Sequence, residues 1–173
     1  MIILTTLKQK DLAAVSAQQL LHDASNRPQQ INRFDLYDIQ GSFSDSKLIQ
    51  AVKASYIFAN PNKHHLILDS SHFSSPRQLF FKVSRKSPLN LSSKIVQLNQ
   101  KLAANAITSI TLSELWAFTY SADNYDQLNI NDIKDTLIVS SSMNKAPFAH
   151  PLIHNVDAFL SRDINKKLGF KSH

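Results

Sequence analysis

The run from Ile107 to Tyr120 constrains the fold most. Ile110, Leu112, Trp116, Phe118 and Tyr120 share one side of it by parity, the two-residue period of a strand that turns one face into a core. Glu114 interrupts that apolar face. Two readings of it stand: a place at a solvent edge or bulge, or burial against a cation of a partner. The first is favoured, because an unpaired buried charge is costly.

Around this strand the pattern reads strand, helix, strand, helix, strand. Gln78 to Ser84 alternates through Leu79, Phe81 and Val83. Asn90 or Ser92 can cap a helix whose Ile95, Leu98 and Leu102 fall on one stripe. After the turn-rich Asp123 to Gln127, a second helix starts near Asn129 with Ile130, Ile133, Leu137 and Ile138 inward, and fades in Ser140 to Ser142. Pro147 and Pro151 stop any helix, so Leu152 to Leu160 closes the half as a strand.

The first half repeats the order. Ile2 to Leu7 is a strand, Asp11 to Ala24 a helix with Ala13, Ala17, Leu20, Leu21 and Ala24 inward, and Ile31 to Gln40 a strand. Ser44 or Asp45 caps a helix with Leu48, Val52 and Tyr56 along one face, and His65 to Leu68 closes the unit. Near the ends of the halves, Phe58-Ala59-Asn60-Pro61 echoes Phe148-Ala149-His150-Pro151. The chain thus reads as a tandem duplication: a first unit over residues 1–69, an exposed serine-rich connector over 70–76, a second unit over 77–160, and a C-terminal tail over 161–173. The expected fold is α+β. Each unit lays two helices on one sheet face and leaves the other bare, so the two are expected to pack sheet to sheet as a pseudo-dimer, with Trp116, Phe118 and Tyr120 in the shared interior.

Composition removes several functions. No cysteine occurs among the 173 residues, which excludes disulfides, thiolate metal sites and cysteine nucleophiles and fits a reducing cytoplasm. Gly41 and Gly169 are the only glycines, too few for a phosphate-binding loop or a dinucleotide fingerprint, whose backbone N–H groups must approach phosphate closely. The apolar start Met1 to Leu7 meets Lys8 and Lys10 too soon for a signal sequence, and no stretch is long enough to cross a bilayer, so a soluble cytoplasmic protein is expected. The net charge of +6 would suit an acidic partner, but its densest spots, Lys8 with Lys10, Lys82 to Lys86, and Lys166 to Lys171, lack interleaved aromatics. Nucleic acid is therefore not the expected partner, although a basic module binding RNA or another polyanion stays open as the alternative, and a small-ligand regulatory domain as a third.

Phe58-Ala59-Asn60-Pro61 and Phe148-Ala149-His150-Pro151, each between a helix and a final strand, resemble the Ala-Asn-Pro segment of the small PurS-type subunit of formylglycinamide ribonucleotide amidotransferase. Thr6-Leu7-Lys8 is similar to that subunit's Thr-Leu-Lys. Ser87-Pro88, followed by Ser92-Ser93-Lys94, resembles the Ser-Pro-Trp-Ser-Ser-Lys of the N-terminal domain in the large single-chain enzyme. The resemblance implies two ferredoxin-like units and a non-catalytic role in purine synthesis. A module of this kind holds a glutaminase against a synthetase, the two implied partners, so that ammonia passes internally. The partner-contact candidates it singles out are Lys8, Asn60, Pro61, Ser92, Ser93, Lys94, His150 and Pro151. A chain without cysteine cannot itself supply the thiolate for glutamine hydrolysis, so no catalytic residue is assigned to it.

Other candidates have plainer explanations. His64-His65, and His150 with His154, could ligate a metal, but Pro151 breaks the helix that the second pair would need and no acid completes a shell; no metal or cofactor is expected. Ser140 to Ser142 and the serines from Ser87 to Ser93 suit helix ends and loops better than a nucleophile. Lys94 stands near a helix start, where the dipole disfavours a cation; taken alone it reads as a solvated lysine, and its resemblance to the family's Ser-Ser-Lys makes it the leading contact candidate.

Overall fold

The computed structural model describes residues 1–21, 27–73, 75–126, 128–138, 148–150 and 152–170. The strands are β1 (Ile2–Leu7), β2 (Gln30–Gly41), β3 (His64–Ile67), β4 (Gln78–Arg85), β5 (Ile107–Thr119) and β6 (His154–Leu160). The helices are α1 (Leu12–Leu20), α2 (Asp45–Ser55), α3 (Ser92–Leu102), the short α4 (Ala122–Tyr125), α5 (Ile130–Ile133), which runs on into a π turn over Lys134–Ile138, and α6 (Ile164–Leu168). The protein is α+β, with one antiparallel sheet in the order β3-β1-β2-β5-β4-β6.

The expected sheet-to-sheet packing does not occur. β2 and β5 pair along most of their length, from Gln30 opposite Thr119 to Gln40 opposite Ser109, so the halves meet edge to edge in one continuous sheet. The physical reason lies on the back face, where Ile2, Leu4, Phe34, Leu36, Phe80, Leu115, Ala117 and Phe159 need a cover. The chain supplies that cover itself. The connector, expected to be exposed, folds a 3-10 turn over Ser70–His72 and drives Phe73 edge-on against Phe34 and Phe80. Within the C-terminal tail, a turn at Ser161–Asp163 leads into α6 and buries Ile164, Leu168 and Phe170 in the same cluster. With both faces already buried, a second sheet has nothing left to cover.

The other face carries the longer helices in two groups. Ala14, Ala17 and Leu21 of the α1 segment join Ile133 and Ile138 over Ile31, Leu79, Phe81, Trp116, Phe118 and Tyr120. The aromatic row of β5 thus lies where residues of both halves meet. Leu48, Ala51 and Val52 of α2 join Leu98 of α3 over Ile3, Tyr37, Ile39 and Ile110.

Two helix faces differ from expectation. The buried stripe of α1 is Ala14 and Ala17, while Ala13 and Leu20 face solvent and Ala24 lies outside the described residues. Asp11 fixes this rotation, because its Oδ1 accepts from the N–H groups of Ala13 and Ala14 and so sets where the helix begins. Tyr56 is not on the buried stripe of α2. It is the left-handed cap residue, with φ of 52° and 62% exposure.

Candidate functional site

Between the two helix groups the centre of the sheet is polar. On the helix side, β2 presents Arg33 and Asp35 and β5 presents Glu114, and Asp35 sits directly opposite Glu114 in the ladder. The Arg33 Nε donates to Asp11 Oδ2 at 2.9 Å, and its Nη1 donates to Glu114 Oε1 at 3.4 Å. The Trp116 Nε1 donates to Glu114 Oε2 at 3.1 Å, and the Arg33 guanidinium lies 5.9 Å from the Trp116 ring centre. Since Asp11 also caps α1, this network ties the start of that helix to both central strands.

One cation faces three carboxylates here. Burial lowers the pKa of Arg33, but the hydrogen bond and charge of Asp11, with the charges of Glu114 and Asp35, outweigh it and raise the value. The Asp35 carboxylate makes no hydrogen bond or ion pair within the described residues. Its pKa is raised, first by burial and also by Glu114 and Asp11, against the opposing pull of Arg33 and His64. Tyr37, two residues further along β2, is pushed up to about 12 by burial and by the Asp35 charge.

The polar row ends in two histidines with matching surroundings. The Asn60 N–H donates to His64 Nδ1 at 3.2 Å, and the His150 N–H donates to His154 Nδ1 at 3.0 Å. The carbonyl of Asn60 accepts from the His64 N–H, and that of His150 from the His154 N–H, each at 2.8 Å. The Lys8 N–H donates to the Lys63 carbonyl, and the Lys86 N–H to that of Ile153, again both at 2.8 Å. In the neutral ring an accepting Nδ1 leaves the proton on Nε2, so each histidine offers an Nε2–H donor. Beside His154 lies a cavity of about 350 Å³, lined among others by Arg85, Leu89, Leu112, Glu114 and Phe148.

The residues singled out from sequence fall into three places. Lys8 and Pro61 line a basic depression at the β3 edge together with Lys53, Tyr56, His64 and His65. Asn60 stands beside it and caps the turn, its Oδ1 accepting from the Asn62 N–H. Ser92 and Ser93 are exposed at the start of α3, where Asn90 Oδ1 accepts from the Ser92 N–H. Lys94 is half-buried within the chain: its ammonium donates to the Ile57 carbonyl and lies 5.3 Å from the Phe58 ring and 5.8 Å from the Tyr37 ring. It braces α3 against the first half, and burial lowers its pKa. His150 is at the opposite edge of the sheet, before β6. Pro151 and Ser140 to Ser142 lie outside the described residues.

The edge-or-bulge reading of Glu114 is corrected. It occupies a central strand in regular register, and the cation that meets it is Arg33 of the same chain. Asp11, Arg33 and Asp35 went unrecognised in the sequence. The available signal was the sequence Arg33-Phe34-Asp35-Leu36, in which the two charged residues share one face, opposite the face of Phe34 and Leu36. Among the described residues no group of three or more histidine, aspartate or glutamate side chains converges to hold a metal ion, and no helix is long and apolar enough to cross a membrane. No protein-family model, curated protein or solved structure matches the chain.

Proposed function

We propose that the chain is a non-catalytic bridging subunit of the PurS type, built from two tandem ferredoxin-like units joined through β2 and β5. The observation that carries this reading is the repetition between the halves. Outward from the centre the strand order β2-β1-β3 mirrors β5-β4-β6, and the hydrogen bonds around Asn60 and His64 recur around His150 and His154. Two related halves placed edge to edge carry two related outer strands, β3 and β6, at opposite ends of the sheet. Among the described residues no strand pairs with the outer side of β3 or β6, and such a side can meet a partner. A protein with two such ends suits holding two other proteins at a fixed separation.

The motifs resembling PurS-type subunits supply the identity of those partners: the synthetase and glutaminase of the complex that converts formylglycinamide ribonucleotide to its amidine. In this reading Lys8, Asn60 and Pro61 contact one partner, and the turn at His150 the other. Ser92 and Ser93 add contacts from the helix side, while Lys94 holds α3 in place. The test is reconstitution of synthetase and glutaminase with and without this protein. Glutamine-driven turnover is expected to require it, and ammonia-driven turnover is not. Equal glutamine-driven turnover in its absence rules the reading out.

A further inference from the structure

We propose that the cavity between β4, β5 and β6 binds a small zwitterion, a molecule with one carboxylate and one amine on a short apolar body, of which an apolar amino acid is the simplest example. The cavity of about 350 Å³ is at the small end of ligand sites, which run from roughly 300 Å³ upward, and so favours a compact ligand over a nucleotide or peptide.

Its polar groups divide by charge. Arg85 and His154 are direct partners in the β4–β6 ladder, so their side chains leave the same face about 5 Å apart at Cβ. Among the described residues the Arg85 guanidinium has no hydrogen bond or ion pair. His154, with Nδ1 occupied by the His150 N–H, offers its Nε2–H. The two make a donor pair suited to a carboxylate. Glu114 lies opposite Val83, two residues along β4 from Arg85 and on the same face. Each Glu114 oxygen accepts one bond, from Arg33 or Trp116, which leaves lone pairs for an ammonium.

This arrangement selects against simpler ligands. A plain anion is repelled by Glu114 and by Asp35 opposite it, and a plain cation by Arg85. A zwitterion satisfies both ends, while Leu89, Leu112 and Phe148 take its apolar body. The place two residues before the acid distinguishes the halves. It is Leu112 before Glu114, but Arg33 before Asp35, and Arg33 is already bonded to Asp11 and Glu114. One ligand per chain is therefore expected.

The site is independent of the bridging role, since reconstitution of the amidotransferase can fail while ligand binding persists, and the reverse. The test is calorimetric titration of the full chain with L-alanine, L-valine, L-leucine, L-methionine and L-phenylalanine. The best of them is then compared with its deaminated acid and its decarboxylated amine. At least one amino acid is expected to bind with a stoichiometry of one. The deaminated acid and the decarboxylated amine are expected to bind the parent roughly tenfold or more weakly than the amino acid, and the variants Arg85→Ala and Glu114→Gln to bind the amino acid more weakly by a similar factor. Arg85 is exposed, so its variant should melt like the parent and separate lost binding from lost folding. The proposal is overturned if none of the five binds, if the deaminated acid or the amine binds as well as the amino acid, or if Arg85→Ala leaves the affinity unchanged.

Discussion

Asp35 and Glu114 face one another across the β2–β5 ladder, on the middle pair of strands of the six-stranded sheet. Like charges directly opposite in a sheet repel, and Arg33 bonds to only one of the two carboxylates. The other, Asp35, raised first by burial and further by the facing Glu114, holds its proton more tightly in the folded chain than in the unfolded one. Proton uptake by Asp35 therefore accompanies folding, and its contribution to stability falls as pH rises from the unfolded value through the folded one. Asp35→Asn is expected to be more stable than the parent at neutral pH by about 0.5 kcal/mol. That advantage should shrink to nothing below the unfolded aspartate value of about 3.9. Urea unfolding of both proteins at a series of pH values measures the difference, and a gap that widens on acidification contradicts the assignment.

Arg33→Ala removes the bond that fixes Asp11, and with it the anchor of the first turn of α1. It also leaves Asp11, Asp35 and Glu114 without their shared cation. The guanidinium is 27% exposed, so part of its effect is screened, and the expected loss is about 1–2 kcal/mol. Denaturant midpoints give the number. Hydrogen exchange should show the first turn of α1 as the region that opens.

Phe73→Ala is expected to cost about 3–5 kcal/mol, the range for truncating a buried phenylalanine. The side chain is only 7% exposed and packs edge-on against Phe34 and Phe80, with ring centres 5.2 Å apart in each pair. A solvated connector would tolerate the change with almost no loss, so the melting temperature separates the two descriptions of residues 70–76.

Gly41→Ala places a Cβ 2.0 Å from the Ala106 carbonyl oxygen, a contact that backbone must yield to relieve. The residue follows the register shift at the end of β2, with φ of 154°. A loss of about 2–3 kcal/mol is expected, as for other overpacked or strained positions. Equilibrium unfolding of the variant checks it. Gly169→Ala meets nothing within 4 Å and pays only for φ of 72°, so it should be the milder change.

The strands were legible because their signal is local. The apolar run Ile2 to Leu7 gave β1 outright, the alternation in Gln78 to Ser84 gave β4 to within a residue, and Asp11, Asn90 and Asn129 marked where α1, α3 and α5 begin. The joining of the halves was not legible, since the β2–β5 ladder is made of backbone hydrogen bonds between distant segments and puts no pattern into the side chains. The back-face cover was hidden for a different reason. Phe73 is one apolar residue in a serine-rich stretch, and Ile164, Leu168 and Phe170 are spaced among lysines, so both segments read as solvated. The site residues were obscured by placement. Arg33 and Asp35 alternate with Phe34 and Leu36, and only the pairing with β5 reveals that they meet Glu114 between the two helix groups.

The C-terminal lid sets a timetable for biosynthesis. Ile164, Leu168 and Phe170 leave the ribosome after all six strands of the sheet, yet they seal a surface that includes Ile2 and Leu4 of its first strand. A nascent chain must therefore carry a greasy, half-clad sheet until these three residues have emerged, and a chain cut short before Ile164 would be prone to clump rather than behave as a slightly shorter version of the same protein.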